Sequence, residues 1–243
     1  SNVVVRWLRV DNPHDAPNTD GFDPDSTVNV SLTDSAFSTG DDGVAIKSGW
    51  DCFGLDVARP SANINIRNLT VDSPCCAGVC IGSEMSGGVE NVTVTDLRLG
   101  LIGQGIRIKA GKGRGGFVRN IVYDGVVMEH AVHAALQVND FYGSRNKACE
   151  GRNATAMPHV GNITFRNVTA KLGGASLGGD FEGLDAAPIN GVYMEGVSFS
   201  QLETKKEAQQ TAAMWKCSNL RAATFSKGTV EPPPCSEFVP QEI

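Results

Sequence analysis

No apolar run in these 243 residues comes near the ~18 that a membrane-spanning helix requires, so no membrane span is expected. A basic excess is absent too: 21 Lys and Arg stand against 27 Asp and Glu, a formal charge of −6. That balance gives no general attraction to nucleic acid or to an anionic membrane surface. Aromatic residues make up only 7%, and no long stretch carries a helical apolar period. The seven cysteines contain no pair of CxxC motifs. A structural zinc site is therefore not expected, and no cofactor is expected.

Glycine, by contrast, is abundant: 28 residues in 243, against about 7% in ordinary proteins. With it comes a repeat, Asn followed by apolar residues at alternate positions. It reads Asn2-Val-Val-Val, Asn29-Val-Ser-Leu, Asn63-Ile-Asn-Ile, Asn91-Val-Thr-Val, Asn120-Ile-Val-Tyr, Asn162-Ile-Thr-Phe and a weaker Asn190-Gly-Val-Tyr. The steps between anchors are 27, 34, 28, 29, 42 and 28 residues, so the two long ones read as a standard coil plus an insertion. A second strand follows the central anchors by 15 or 16 residues, starting at Val44, Val79, Ile106 and Leu136. Short β-rich runs, glycine turns and a coil of this length predict an all-β parallel β-helix, a solenoid. No Leu-x-x-Leu-x-Leu frame supports leucine-rich repeats, and the turns lie too far apart for a β-sandwich. The solenoid is expected over residues 1–201, with 202–243 as a tail packing on its last coil.

Equivalent positions in successive coils lie one strand spacing apart, about 4.8 Å. Asp20, Asp41, Asp42, Arg107 and Lys109 fall at such positions and are expected in one solvent-facing groove. An isolated Asp-Gly is an ordinary turn signal. Adjacent like charges, as in Asp41-Asp42 before a buried strand, are costly without a use. Carboxylates with nearby cations suit inverting glycoside hydrolysis, which needs an acid and a base about 6.5–9.5 Å apart with water between.

Asn18-Thr-Asp-Gly-Phe-Asp-Pro-Asp-Ser, Gly40-Asp-Asp-Gly-Val-Ala-Ile-Lys-Ser-Gly and Gly105-Ile-Arg-Ile-Lys together resemble glycoside hydrolase family 28, the polygalacturonases and related pectinases. Gly82-Ser-Glu-Met-Ser-Gly-Gly and Gly113-Arg-Gly-Gly-Phe resemble its plant-type and bacterial-type branches. The resemblance implies a right-handed parallel β-helix and inverting, metal-independent hydrolysis of a pectic or other uronate-containing polysaccharide. By the same resemblance, Asp41 is the general acid, Asp20 and Asp42 hold and deprotonate the attacking water, and Arg107 and Lys109 bind the galacturonate carboxylate. Lys109 is treated as an exposed charge in that role. Matching cysteines in plant-type members imply a Cys217–Cys235 disulfide. The family's usual Gly-His-Gly is replaced by Cys75-Cys76-Ala77, which keeps a second class open: a noncatalytic structural or sugar-binding β-helix. Family members also carry further sequence before the segment matching Ser1, so a preceding segment or another chain is expected to cover that end.

Residues 48–60 and 140–159 both follow the second strand of a coil, and are expected to wall the cleft with Trp50, Phe53, Phe141 and Tyr142. Cys52 is expected to pair within the Cys75, Cys76, Cys80 group. From Arg107 to Arg119 lie five of the 21 basic residues, Lys112 and Arg114 among them, a strip suited to a polyanionic chain. Six Asn-x-Ser/Thr sequons with several cysteines point to a secreted protein of the extracellular space or cell wall. Asn153, in an insertion, is the best glycosylation candidate. Asn29, Asn91 and Asn162 are repeat anchors, expected to bond the turn backbone instead.

Overall fold

The computed structural model describes residues 1–143, 147–149, 151–152, 155–202 and 214–242. One sheet path runs through Val3–Arg6, Val28–Ser38, Ser61–Ile81, Val89–Lys109, Phe117–Asn139, His159–Leu172, Ile189–Gln201, Leu220–Ser226 and Val239–Gln241. Each of these strands is parallel to the next. Every turn of the chain thus adds one row to a stack, which is a parallel β-helix.

The alternation that marked the repeat sorts side chains between core and solvent. Leu32, Ile66, Val94, Tyr123, Phe165 and Met194 are register partners from row to row, and all are buried. Tyr123 stacks on Phe165 with ring centroids 5.8 Å apart, so aromatic side chains continue the same buried row. The second strands stack likewise, Ile46 on Ile81, Ile108, Val138 and Phe181.

The anchors Asn29, Asn63, Asn91, Asn120 and Asn162 all have φ between 52° and 59°. Asn is among the few non-glycine residues that accept this left-handed bend, and it turns the chain from one face to the next. Their side chains do not bond the turn backbone, as expected above, but one another. Asn63 Nδ2 donates to Asn29 Oδ1 at 3.0 Å, Asn91 to Asn63 at 3.2 Å, Asn120 to Asn91 at 3.0 Å and Asn162 to Asn120 at 2.6 Å. At one strand spacing, the nearest partner of each amide is the identical amide in the next coil. In the following coil Gly191, with φ 79°, holds the bend rather than Asn190.

Among the described residues after 202, Trp215–Ser218 pairs with Leu177–Glu182 and Leu220–Ser226 with Ile189–Gln201, so they add rows to the ladder. Cys217 is bonded to Cys235 there. Cys52 is bonded to Cys149, not to the Cys75, Cys76, Cys80 group. The two insertions leave the solenoid at one edge and meet in space although 97 residues separate the sulfurs. Arg152 adds a 2.7 Å ion pair to Asp56 on the short helix Asp51–Val57 of the first insertion. Cys75 and Cys76 are bonded to each other, and Cys80 is a free, buried thiol. Asn153 lies outside the described residues.

Candidate active site

Beside the vicinal cysteines, the ladder is irregular. Ser73 pairs with Ile102 and Ala77 with Gln104, so this strand carries two extra residues in a bulge. The bulge grips the Gly40-Asp41-Asp42 segment of the preceding coil. Ser73 Oγ donates to Asp41 O at 2.6 Å, Cys75 Sγ contacts Gly40 O at 3.2 Å, and Ala77 N–H donates to Asp42 Oδ1 at 2.8 Å.

Asp42 is only 3% exposed. Its Oδ2 accepts Lys109 Nζ at 2.5 Å and the Cys80 thiol at 3.1 Å. Lys109 comes from two rows away. It reaches because the row between offers only Cys80 and Gly82, and a Cβ on Gly82 would stand 2.3 Å from Lys109 O. Burial opposes the charge on Asp42, but the Lys109 charge and the three hydrogen bonds outweigh it, holding the carboxyl below its usual range. Lys109 is therefore not the exposed charge expected: it is 9% exposed and engaged with Asp42.

The neighbouring carboxyls behave oppositely. Burial, and then the charges of Asp42 and Asp20, raise Asp41. Asp20 is pushed up to about 6 by burial and by Asp23, with Lys47 opposing. Lys47 Nζ lies 2.6 Å from Asp23 and 3.3 Å from Asp20. These groups line one pocket of about 340 Å³ with Asn18, Gly82, Ser83, Glu84 and Tyr142. Asn18 Nδ2 is 3.4 Å from Asp41 Oδ2. The pocket thus holds one fixed carboxylate beside two carboxyls that keep protons to higher pH.

Arg107 stands just outside this lining. Its guanidinium lies 5.7 Å from the Tyr142 ring centroid and Lys109 Nζ lies 6.0 Å from it. Among the described residues no carboxylate pairs with Arg107. Of the rest of the expected basic strip, Lys112 is exposed, while Arg114 and Arg119 are already compensated. Arg114 is buried, pairing with Asp51 at 2.9 Å and donating to Ser83 Oγ, and Arg119 pairs with Glu90. Of the two insertions, only 140–159 reaches the pocket lining among the described residues, through Tyr142. The other braces it through Cys52–Cys149.

The pocket therefore gathers Asp20, Asp41, Asp42 and Lys109, with Arg107 at its margin. Lys47, Asp23 and Glu84 were missed. Lys47 had a signal, since it occupies the same place after its anchor as Lys109 does after Asn91. One His, Cys, Asp or Glu group with metal-like spacing occurs among the described residues, Cys217, Cys235 and Glu237, and its two sulfurs are joined in a disulfide.

A family model for glycosyl hydrolases family 28 matches residues 1–225. The chain belongs to glycosyl hydrolase family 28. Within it, a probable polygalacturonase of Vitis vinifera is 34% identical over 240 residues, 99% of this chain and 46% of that protein. Among solved structures, the polygalacturonase from Erwinia carotovora ssp. carotovora is 31% identical with a TM-score of 0.64, over 83% of this chain and 49% of that one. The Thermotoga maritima exopolygalacturonase is 26% identical with a TM-score of 0.72, over 88% and 44%. The chain thus spans about half the length of these family 28 relatives. It shares their right-handed parallel β-helix.

Proposed function

We propose that the chain carries the catalytic coils of a secreted polygalacturonase-like hydrolase, which cleaves glycosidic bonds of a pectic, uronate-containing polysaccharide with inversion. The observation that carries this reading is the pocket of unlike carboxyls beside an uncompensated arginine. Asp41, raised and facing the pocket, gives its proton to the departing glycosidic oxygen as the sugar carbon–oxygen bond breaks. A water oxygen bonds to that carbon from the other side, and its proton passes to Asp42, with Asp20 helping to hold the water. Arg107 offers a two-pronged fork to the sugar carboxylate. Lys109 acts at one remove, keeping Asp42 charged, and adds positive potential at the pocket floor. Three disulfides support an oxidising, extracellular setting.

The test is release of reducing ends from polygalacturonate, with Asp41→Asn as control. Activity lost by about 10²–10⁴-fold in the variant, the range for a general acid, fits the reading. A neutral galactan should be left intact. The replacement of the family's usual Gly-His-Gly by Cys75-Cys76-Ala77 favours the other reading, a noncatalytic structural or sugar-binding β-helix. Uronate binding without release of reducing ends from any pectic polymer would select it.

A further inference from the structure

Cys80 is the one free cysteine among the described residues, and the mechanism above leaves it without a task. It is fully buried and forms a small cluster with Ala45 and Ala77, neither of which has a side-chain donor. Its Sγ is 3.1 Å from Asp42 Oδ2, against 3.7 Å from Gly82 O, so the carboxylate is its nearer acceptor. The charged groups facing it are Asp42 and Lys109, with Arg107 its register partner in the next row. Burial, and then the adjacent Asp42 charge, hold the sulfur in its thiol form, so it has a proton to donate.

A carboxylate offers about four lone-pair sites. On Asp42, Lys109 and Cys80 engage Oδ2, and the Ala77 N–H takes one site on Oδ1. One site is left, on Oδ1. We propose that Cys80 is a positioning residue for Asp42: its thiol closes the second site on Oδ2, so the water to be activated binds only at Oδ1. The proposal rests on the hydrolase reading of this pocket. It gives the column Ala45, Cys80, Arg107 a division of labour, with the middle row serving the carboxylate and the next serving the substrate.

The experiment compares Cys80→Val, which keeps the shape and loses the donor, with Cys80→Ser, which keeps a donor. Hydrolysis of polygalacturonate is followed across pH. The Val variant is expected to lose about tenfold in kcat with KM nearly unchanged, the effect of one hydrogen bond to a charged group. Its acidic limb should move to higher pH, because Asp42 has lost a donor that favours its charged form. The Ser variant should stay within about threefold of the parent and keep the parent's limb, a rescue that packing alone does not produce. If Cys80→Val does not fold, Cys80→Ala takes its place. A folded Val or Ala variant with the parent's kcat and limb would overturn the proposal and leave the hydrolase reading intact. A folded Ser variant as impaired as Val would overturn it equally. An inactive parent chain would remove the hydrolase reading itself, and the proposal with it.

Discussion

The asparagine edge and the acidic pocket are both columns of one coil repeat, yet they settle their polarity in opposite ways. On the edge, identical residues suffice, because an amide both donates and accepts. Each Asn gives to the row before it and, up to Asn120, takes from the row after it, so the amides form one continuous ladder. Carboxylates only accept and repel, so a column of them needs unlike neighbours. Lys109 sits on Asp42, and Lys47 lies between Asp20 and Asp23. A uniform column is stable and chemically idle. The unlike column has carboxyls of different proton affinity side by side, which is what acid–base work requires.

The largest expected effect breaks the unlike column. Lys109→Ala leaves a buried, unpaired Asp42 and is expected to cost about 3–5 kcal/mol, read from urea unfolding. A loss under about 1 kcal/mol would mean that solvent already screens the pair. A second substitution sharpens the contrast at a buried carboxyl that has no unlike neighbour to pair with. Asp140 is 1% exposed, neither of its oxygens has a hydrogen-bond partner among the described residues, and burial pushes it up to about 7. The folded state therefore holds this proton more tightly than the unfolded chain, whose carboxyl titrates near its ordinary value of 3.8. The stability it confers is present below about pH 4 and lost as pH rises through about 7. Asp140→Asn should flatten that fall and be more stable than the parent at pH 8 by about 2–4 kcal/mol. Equal slopes of stability against pH in both proteins would refute it.

The uniform column should break more gently. Asn91→Ala removes two side-chain hydrogen bonds and puts a Cβ residue at φ 56° without the asparagine preference, at an expected cost of about 1–3 kcal/mol. Thermal unfolding reads this, and Asn91→Gly should recover the backbone part. For activity, Asp20 keeps its proton at an acidic optimum and loses it near pH 6, so Asp20→Asn, neutral at every pH, should remove its part of the alkaline limb of the pH–rate profile. The profile of the parent should be bell-shaped with an acidic optimum, and a rate still climbing above pH 8 would contradict it. The smallest effect is the reference: Lys227 pairs with Glu242 in the open, and Lys227→Ala should change stability by less than about 0.5 kcal/mol.

How much of this was legible follows from what the repeat encodes. Anchor spacing located the rows: Asp20 and Lys109 each stand 18 residues after an anchor, while Asp41 and Asp42, 12 and 13 after theirs, were marked by two like charges set before a buried strand. The depth of a side chain within its row was not encoded. Lys109 looked exposed from its own strand, and only the small residues Cys80 and Gly82 in the neighbouring row let it fold down onto Asp42. The Cys52–Cys149 bond was equally hidden, since loop paths beyond the solenoid edge have no period to read. Lys47 was missed for a different reason. Its column position was readable, but its partners Asp20 and Asp23 lie in a stretch held only by single bridges, Phe22 to Val44 and Asp25 to Lys47, without the alternating apolar pattern that marks a strand.

The Lys109–Asp42 pair also makes the pocket a counting device. Elsewhere a solenoid of this kind tolerates one coil more or fewer, since each row meets only its neighbours. Between Asp42 and Lys109 that freedom ends. One added coil would move the ammonium a further strand spacing, about 4.8 Å, beyond reach of the carboxylate. One coil removed would press it into the row where Cys80 and Gly82 leave it room. Growth and shortening of this chain by whole repeats are therefore permitted on either side of the pocket and barred inside it.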